Sequence, residues 1–397
     1  MKTFKLVPPI LLFDTMKEWA EACPVTDRDL IITNEWLYRP LIEPLGVKPA
    51  GVIFQEKYGM GEPNDDMIGA MAGDAGKYGF DQIIALGGGT IIDISKVLAL
   101  DVPDRVEDLF TGKVPPKKIK RLVAIPTTCG TGSEVTNVTI AELKNLGVKK
   151  GIAVPETFAD VAVLIPEAAM GLPYKIFATS SIDALIHAVE SFLSPKASPF
   201  TEMYSREAIR LIMKGYKEIA ERGEDARFGL MKEFLIAANY AGIAFGNAGC
   251  AAVHALSYSI GGAFHVPHGE ANYQFFTAVM KLYAGKAPGG KISELTEMFA
   301  GILGMDASGA DAGTGAGGSA GGSAGGSAGG SAGAVYEALE TALGKLIPRK
   351  ALREYGMSGA QIDEFATSTV ENQQRLLVNN YVFLEDAEIR GIFAELF

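Results

Sequence analysis

Over roughly the first 175 residues, short β-branched runs alternate with helical patterns, and after that the alternation stops. The runs are "DLIIT" (29–33), "GVIF" (51–54), "QIIAL" (82–86), "RLVAI" (121–125) and "VAVLI" (161–165). Strands that are apolar at consecutive positions are buried on both faces, and strands separated by helices pair in parallel, so this half reads as repeated βαβ units around a buried sheet. From about residue 177 the period turns helical: Ile182, Leu185, Ile186 and Val189 stand at i, i+3, i+4 and i+7. The expectation is an α/β domain over 1–176 and an all-α domain over 177–397, each large enough for its own core.

Several stretches qualify that division. A Gly/Ala/Ser tract from about 308 to 334 repeats GGSA four times between 317 and 332. It has almost nothing to bury, has the regularity of an inserted linker, and is left out of the fold. Between Glu233 and Glu270 no Asp, Glu, Lys or Arg occurs, but polar residues and glycines interrupt the stretch, so buried helices are expected there and no membrane span. The opening "MKTFKLVPPILLFDTMKEWA" is broken by Pro8, Pro9 and Asp14 and reads as an entering strand, not a signal peptide. The net charge of −11 argues against nucleic-acid and anionic-membrane partners, and an anionic substrate would need a local cation. Three scattered cysteines suit a reducing compartment, and a cytoplasmic location is expected.

The chemistry begins where strands meet glycines. In "DQIIALGGGTIIDISKVLAL" a strand runs into Gly87, Gly88, Gly89 and Thr90 and a helix follows at once. Backbone N–H groups and the positive end of the helix dipole then face whatever lies over the turn, which suits phosphate. The pattern is neither G-x-G-x-x-G nor a Walker A loop. A second turn, "RLVAIPTTCGTGSEVT", places Thr127, Thr128, Thr131 and Ser133 among small residues after another strand, and two such turns suggest a dinucleotide. Cys129 lies in that turn with no adjacent base and reads as a buried thiol.

The chain has four histidines, three of them in "HALSYSIGGAFHVPHGE" (254–270). Asp183 and His187, at i and i+4, share one helix face. With His254 and His268 they offer one carboxylate and three imidazoles, a set that suits Fe(II) or Zn(II).

At this point "GGGTIIDISK", "IPTTCGTGSEVT", "SIDALIHAVESFLS" and "HALSYSIGGAFHVPHGEAN" resemble, in order, the motifs of the iron-containing (group III) alcohol dehydrogenase family. The likeness covers the whole chain outside the GGSA tract. Within the family, "TNEWLY", "SPKASPF", "NYAGIAFGNAG" and "QQRLLVNNY" are similar to the 4-hydroxybutyrate dehydrogenase branch. The resemblance implies a Rossmann-like N-terminal domain and a helical C-terminal domain, the architecture of dehydroquinate synthase, with the cofactor in the cleft between them. It also implies Asp183, His187, His254 and His268 as metal ligands, Fe(II) favoured and Zn(II) the alternative. Gly87, Gly88, Gly89, Thr90 and Asp93 would hold the pyrophosphate turn, Thr127, Thr128, Thr131 and Ser133 the ribose and nicotinamide side, and Lys149 a ribose hydroxyl. A homodimer or larger homo-oligomer is expected.

The implied reaction moves a hydride between NAD(H) and 4-hydroxybutyrate or succinate semialdehyde. Alternatives are a general short-chain alcohol dehydrogenase and a dehydroquinate synthase-like lyase. Many relatives carry a second histidine four residues after the one matching His254, whereas this chain has Tyr258. Tyr258, His265 or a water chain must then take the proton, and His265 is otherwise read as neighbouring the ligands or facing substrate. Where relatives have a Thr-Asp pair that repels the 2′-phosphate of NADP, this chain has Thr33-Asn34-Glu35. NAD is favoured with NADP left open, depending on where Glu35 points. Arg375 and Lys196 are the candidate cations for the substrate carboxylate.

Overall fold

The computed structural model describes residues 3–305 and 328–397, the side chains of 328–331 excepted. Its contacts divide the chain into two units, Lys5–Pro173 and Tyr174–Phe397, the second including the N-terminal residues through Phe4. The division falls just before the 176/177 boundary expected from periodicity, because a single helix runs unbroken over Tyr174–Leu193. Phe4 joins the helical unit by stacking on Phe200 and Tyr204.

The α/β unit is built on a six-stranded parallel sheet. Its strands are β1 (Ile10–Leu12), β2 (Asp29–Thr33), β3 (Gly51–Phe54), β4 (Gln82–Gly87), β5 (Arg121–Pro126) and β8 (Val161–Leu164). They lie in the order β1-β8-β5-β4-β2-β3. Between β5 and β8 the chain inserts an antiparallel hairpin, β6 (Val138–Leu143) and β7 (Val148–Ala153). The continuous apolar runs are explained by burial on both faces: Leu30, Ile32, Ile83, Ala85, Leu122 and Ala124 feed one core, while Ile31, Ile84, Leu86, Val123 and Ile125 feed the other. β4 is central, with β2 and β3 to one side and β5, β8 and β1 to the other. The strand order reverses there, the place in a doubly wound sheet where a ligand crevice opens at the carboxyl ends of the strands.

In the helical unit, Tyr174–Leu193 is flanked by the helices Pro199–Arg222, Met231–Ala248 and His268–Lys286. Among the described residues it is the helix long and apolar enough to cross a membrane, and 89% of that window is buried inside the protein. The charge-free stretch forms two helices, Met231–Ala248 and Ala252–Phe264, bent by 103° at a corner where Gly249 has φ 80°. Residues 306–327 of the Gly/Ala/Ser tract lie outside the described residues. The tract's last residues, however, open the helix Ala328–Gly344 and are not linker. Val335, Tyr336, Leu339 and Leu343 anchor that helix by burial, and helix propagation from such an anchor adds one hydrogen bond per residue.

Gly215 shows how tightly these helices pack, since a Cβ there would stand 2.5 Å from the Phe234 ring. Gly215→Ala is expected to lower stability by about 1–2 kcal/mol net, the overpacking strain outweighing the helix propensity gained. A lower urea midpoint checks this; an unchanged one would mean that Phe234 yields freely.

Candidate metal centre and nucleotide turns

Asp183 and His187 sit mid-helix on Tyr174–Leu193, almost fully buried. His254 is in the first turn of Ala252–Phe264, and His268 opens His268–Lys286. One ligand atom from each falls within 4.8 Å of the others. From Asp183, Oδ1 lies 3.8 Å from His254 Nε2 and 3.9 Å from His268 Nε2, and Oδ2 lies 4.0 Å from His187 Nδ1. These separations are too long for hydrogen bonds, and they approach those of donors arranged around one cation at bonds of about 2.0–2.2 Å.

The donors fit such an ion for a second reason. His254 Nε2 is buried with no hydrogen-bond partner, while its Nδ1 stands 2.6 Å from Glu190 Oε2. The Glu190 carboxylate accepts there, so a proton sits on Nδ1 and Nε2 is the nitrogen that faces Asp183. Glu190 also accepts from the backbone N–H groups of Ala251 at 2.9 Å and Val253 at 2.7 Å. Cys250 lies close enough to form a second triplet with Glu190 and His254. The hydrogen bond between those two closes that triplet to a cation.

Electrostatics agree with the four-donor set. Burial pushes the Asp183 carboxyl up, but the three imidazoles and the Asn272 amide outweigh it and hold it below the usual range. Asn272 Nδ2 donates to Asp183 Oδ1 at 2.7 Å and lies 3.1 Å from His268 Nε2. Burial pulls His254 down, yet Cys250 and Glu190 beside it raise it well above its ordinary value, so a cation bound at Nε2 displaces a proton there. The motifs do not single out Glu190 or Asn272, although spacing carries a signal. Glu190 stands at i+7 from Asp183 and i+3 from His187, and Asn272 at i+4 from His268. Gly269 permits the close approach of two helices, since a Cβ there would lie 2.4 Å from the Thr179 carbonyl and 3.2 Å from Asp183 Cβ.

His265 lies outside the cluster. It ends its helix in the left-handed region at φ 53° and is exposed. Tyr258, one turn after His254, is half-buried with its ring centroid 6.2 Å from that of His268. Arg375, from the short helix Gln374–Leu377, donates through Nη2 to the Tyr258 hydroxyl at 3.2 Å, its guanidinium carbon 5.6 Å from the ring. Lys196 is not brought here. It is exposed in the turn beyond Leu193, ten residues past Asp183, which is about 15 Å along a helix axis.

In the α/β unit the two glycine turns lean on each other. A Cβ on Gly89 would stand 2.8 Å from Thr131 Cγ2, and one on Gly88 would stand 3.2 Å from Thr128 Cγ2. Gly87 accepts from the Thr127 N–H at 3.0 Å, and the Thr90 hydroxyl donates to the Gly61 carbonyl at 3.2 Å. Asp93 is committed to protein donors: the Ser133 hydroxyl, Lys96 Nζ at 3.3 Å and the Ile140 N–H at 3.3 Å. Lys149 ion-pairs with Glu62. Burial pushes the Cys129 thiol up, as suits an inert side chain. Asn34, at the tip of β2, is buried, and Glu35 turns outward to Arg39.

Residues 12–166 match the iron-containing alcohol dehydrogenase family, and residues 177–397 match the C-terminal region of the Fe-containing alcohol dehydrogenase family. The 4-hydroxybutyrate dehydrogenase of Clostridium kluyveri is 49% identical over 397 residues, all of both chains. Among solved structures, sulfoacetaldehyde reductase from Bifidobacterium kashiwanohense in complex with NAD+ is similar with a TM-score of 0.82 at 23% identity, covering 100% of this chain and 98% of that one. An iron-containing alcohol dehydrogenase from Thermococcus thioreducens is similar with a TM-score of 0.75 at 25% identity, covering 99% of each.

His268→Ala should abolish stoichiometric metal by elemental analysis while His265→Ala keeps it; equal retention would dismiss the four-ligand set. Gly269→Ala, which forces the two helices apart, should weaken metal binding at least about tenfold, the scale of a lost supporting contact, measured by competition with a chelator.

Proposed function

Because the chain belongs to the iron-containing alcohol dehydrogenase family, we propose that it is an NAD-dependent oxidoreductase interconverting 4-hydroxybutyrate and succinate semialdehyde. The observation that carries the substrate choice is Arg375, which among the described residues meets Tyr258 and no carboxylate. A four-carbon hydroxy acid spans about 6 Å between its hydroxyl and its carboxylate. Tyr258 neighbours both Arg375 and His268, with the Arg375 guanidinium carbon 5.6 Å from its ring centroid and the His268 ring centroid at 6.2 Å.

A divalent cation, Fe(II) in our reading, would supply Lewis acidity toward the substrate oxygen, and a nicotinamide would supply the hydride acceptor or donor. Asp183, His187, His254 and His268 would hold the first, and the turns at Gly87–Thr90 and Thr127–Ser133 would hold the second. With one anionic ligand among four, the site of a divalent cation would keep a net positive charge, as an oxygen gaining negative charge requires. Arg375 pairs with the substrate carboxylate and supplies the local cation that a protein of net charge −11 otherwise denies an anion. Tyr258 aligns the carbon chain between them. Oxidation releases one proton from the hydroxyl, which Tyr258, His265 or a water chain carries to solvent.

The protein is further read as a cytoplasmic homo-oligomer. Its three cysteines are free, as a reducing compartment keeps them. β1 ends the sheet, with Leu12 exposed in it and Leu6 and Val7 exposed in the segment before it, an edge that a second copy would cover.

One charge-assisted pair should contribute about 2–5 kcal/mol, so kcat/KM for 4-hydroxybutyrate should exceed that for 1-butanol at least about thirtyfold. Arg375→Met should erase most of that gap and leave 1-butanol oxidation nearly unchanged; equal rates on both substrates in the unsubstituted enzyme would reduce the reading to a general alcohol dehydrogenase. Light scattering should return a mass at least twice the 42.0 kDa of one chain.

A further inference from the structure

The tip of β2 carries a carboxylate that its own sequence does not contain. β2 and β4 are parallel neighbours paired as far as Ile32 opposite Ala85, so Thr33 and Asn34 follow directly on that pairing, beside the strand that ends at Gly87. β3 pairs on the other side of β2 with Phe54 opposite Thr33, and the chain then turns through a short 3-10 helix, Gln55–Tyr58. That turn folds Glu56 back over β2. Glu56 Oε1 accepts from the Glu35 N–H at 2.7 Å, and Oε2 accepts from Asn34 Nδ2 at 2.9 Å. Gln55 Oε1 adds a longer contact to the same Asn34 amide at 3.3 Å. The Glu56 carboxylate is therefore half-buried and held through both oxygens.

The neighbouring charges face elsewhere. Glu35 is exposed and ion-paired to Arg39, and Arg39 also faces Glu43. Lys57 lies over the Phe54 ring, 4.9 Å from its centroid. Neither cation is paired with Glu56 in the structure.

From this geometry, and resting on the dinucleotide reading above, we infer that Glu56 is the residue that makes the protein select NAD over NADP. When pyrophosphate binds at the glycine turn of a parallel α/β sheet, the adenosine ribose lies toward the end of the neighbouring strand, where a carboxylate accepts the 2′-hydroxyl. Each Glu56 oxygen makes one hydrogen bond to the protein and retains acceptor capacity for that hydroxyl. A 2′-phosphate brings a second anion against one that cannot swing away without losing two hydrogen bonds, and like charges so placed oppose binding. Asn34 does not discriminate by itself. It is neutral, and its amide donates to Glu56 and to Gln55.

The test measures binding of NADH and NADPH to the resting protein by cofactor fluorescence, without turnover. The unsubstituted protein should bind NADH at least about a hundredfold more tightly than NADPH, the span of a like-charge penalty. Glu56→Gln, which keeps an acceptor for the Glu35 N–H, should tighten NADPH at least about tenfold and change NADH by no more than about threefold. Glu56→Ala should move the ratio in the same direction, and Glu35→Gln should leave it unchanged. A ratio unmoved in both Glu56 variants, or moved as far by Glu35→Gln, would overturn the assignment while the cofactor reading stands. Failure of the unsubstituted protein to bind either dinucleotide would overturn the cofactor reading and this assignment together.

Discussion

The Glu190 carboxylate is almost completely buried and accepts hydrogen bonds from Ala251, Val253 and His254 Nδ1. An ionised group taken out of water costs several kcal/mol unless its oxygens are satisfied, and this one is satisfied only if the chain turns sharply after Gly249 and starts a new helix at once. The 103° corner, the first turn of Ala252–Phe264 and the tautomer of His254 are consequences of meeting that requirement. From the other side Asn379 donates to the Cys250 carbonyl at 2.8 Å, so both polar edges of the corner are held by side chains. The orientation of His254 toward Asp183 thus depends on an interaction one layer behind the ligands.

The α/β unit uses the opposite charge in a comparable way. Lys96 is fully buried, and Nζ reaches Asp93, Ser133 and Thr136 side chains and the Val138 carbonyl at 2.6 Å. Burial pulls its pKa down, against the attraction of Asp93. This network ties the helix behind the first glycine turn to the segment behind the second. With no Cβ on Gly88 and Gly89, Thr128 and Thr131 come into direct contact with the first turn. Two loops that would be mobile separately are braced against each other, and loops braced in this way lose little entropy on closing around a ligand.

Charge placement decides selectivity more than total charge does. The chain's net charge of −11 gives no long-range attraction for acids, so in the proposed reading recognition of a carboxylate falls to Arg375, whose backbone carbonyl is also within 3.4 Å of Asn379 Nδ2. The same asparagine thereby contacts both the segment that carries Arg375 and the corner that leads to His254. In the α/β unit, an acidic side chain sits at the tip of β2 although β2 contributes only Thr33 and Asn34 there.

Periodicity and composition alone determined the parallel sheet, the change to helix near residue 175 and the strand–glycine–helix turns, because each depends on which neighbouring positions must be apolar or lack a side chain. Asp183 and His187 were legible as a pair for the same local reason, four residues being one helical turn. The resemblance implied that His268 joins them and that His265, three residues earlier, does not, but local spacing gives no reason for it, and the tertiary structure supplies one. A left-handed residue and a proline reorient the chain between the two histidines, and Gly269 allows the approach to Asp183. Lys196 and Arg375 looked alike as isolated cations, and packing put one in an exposed turn and the other against Tyr258. Glu190, Asn272 and Glu56 act through partners 61 to 64, 89 and 21 to 22 residues away. A local pattern cannot carry such pairings, since a hydrogen bond is set by distances of about 3 Å in space and the chain separation leaves those distances undetermined.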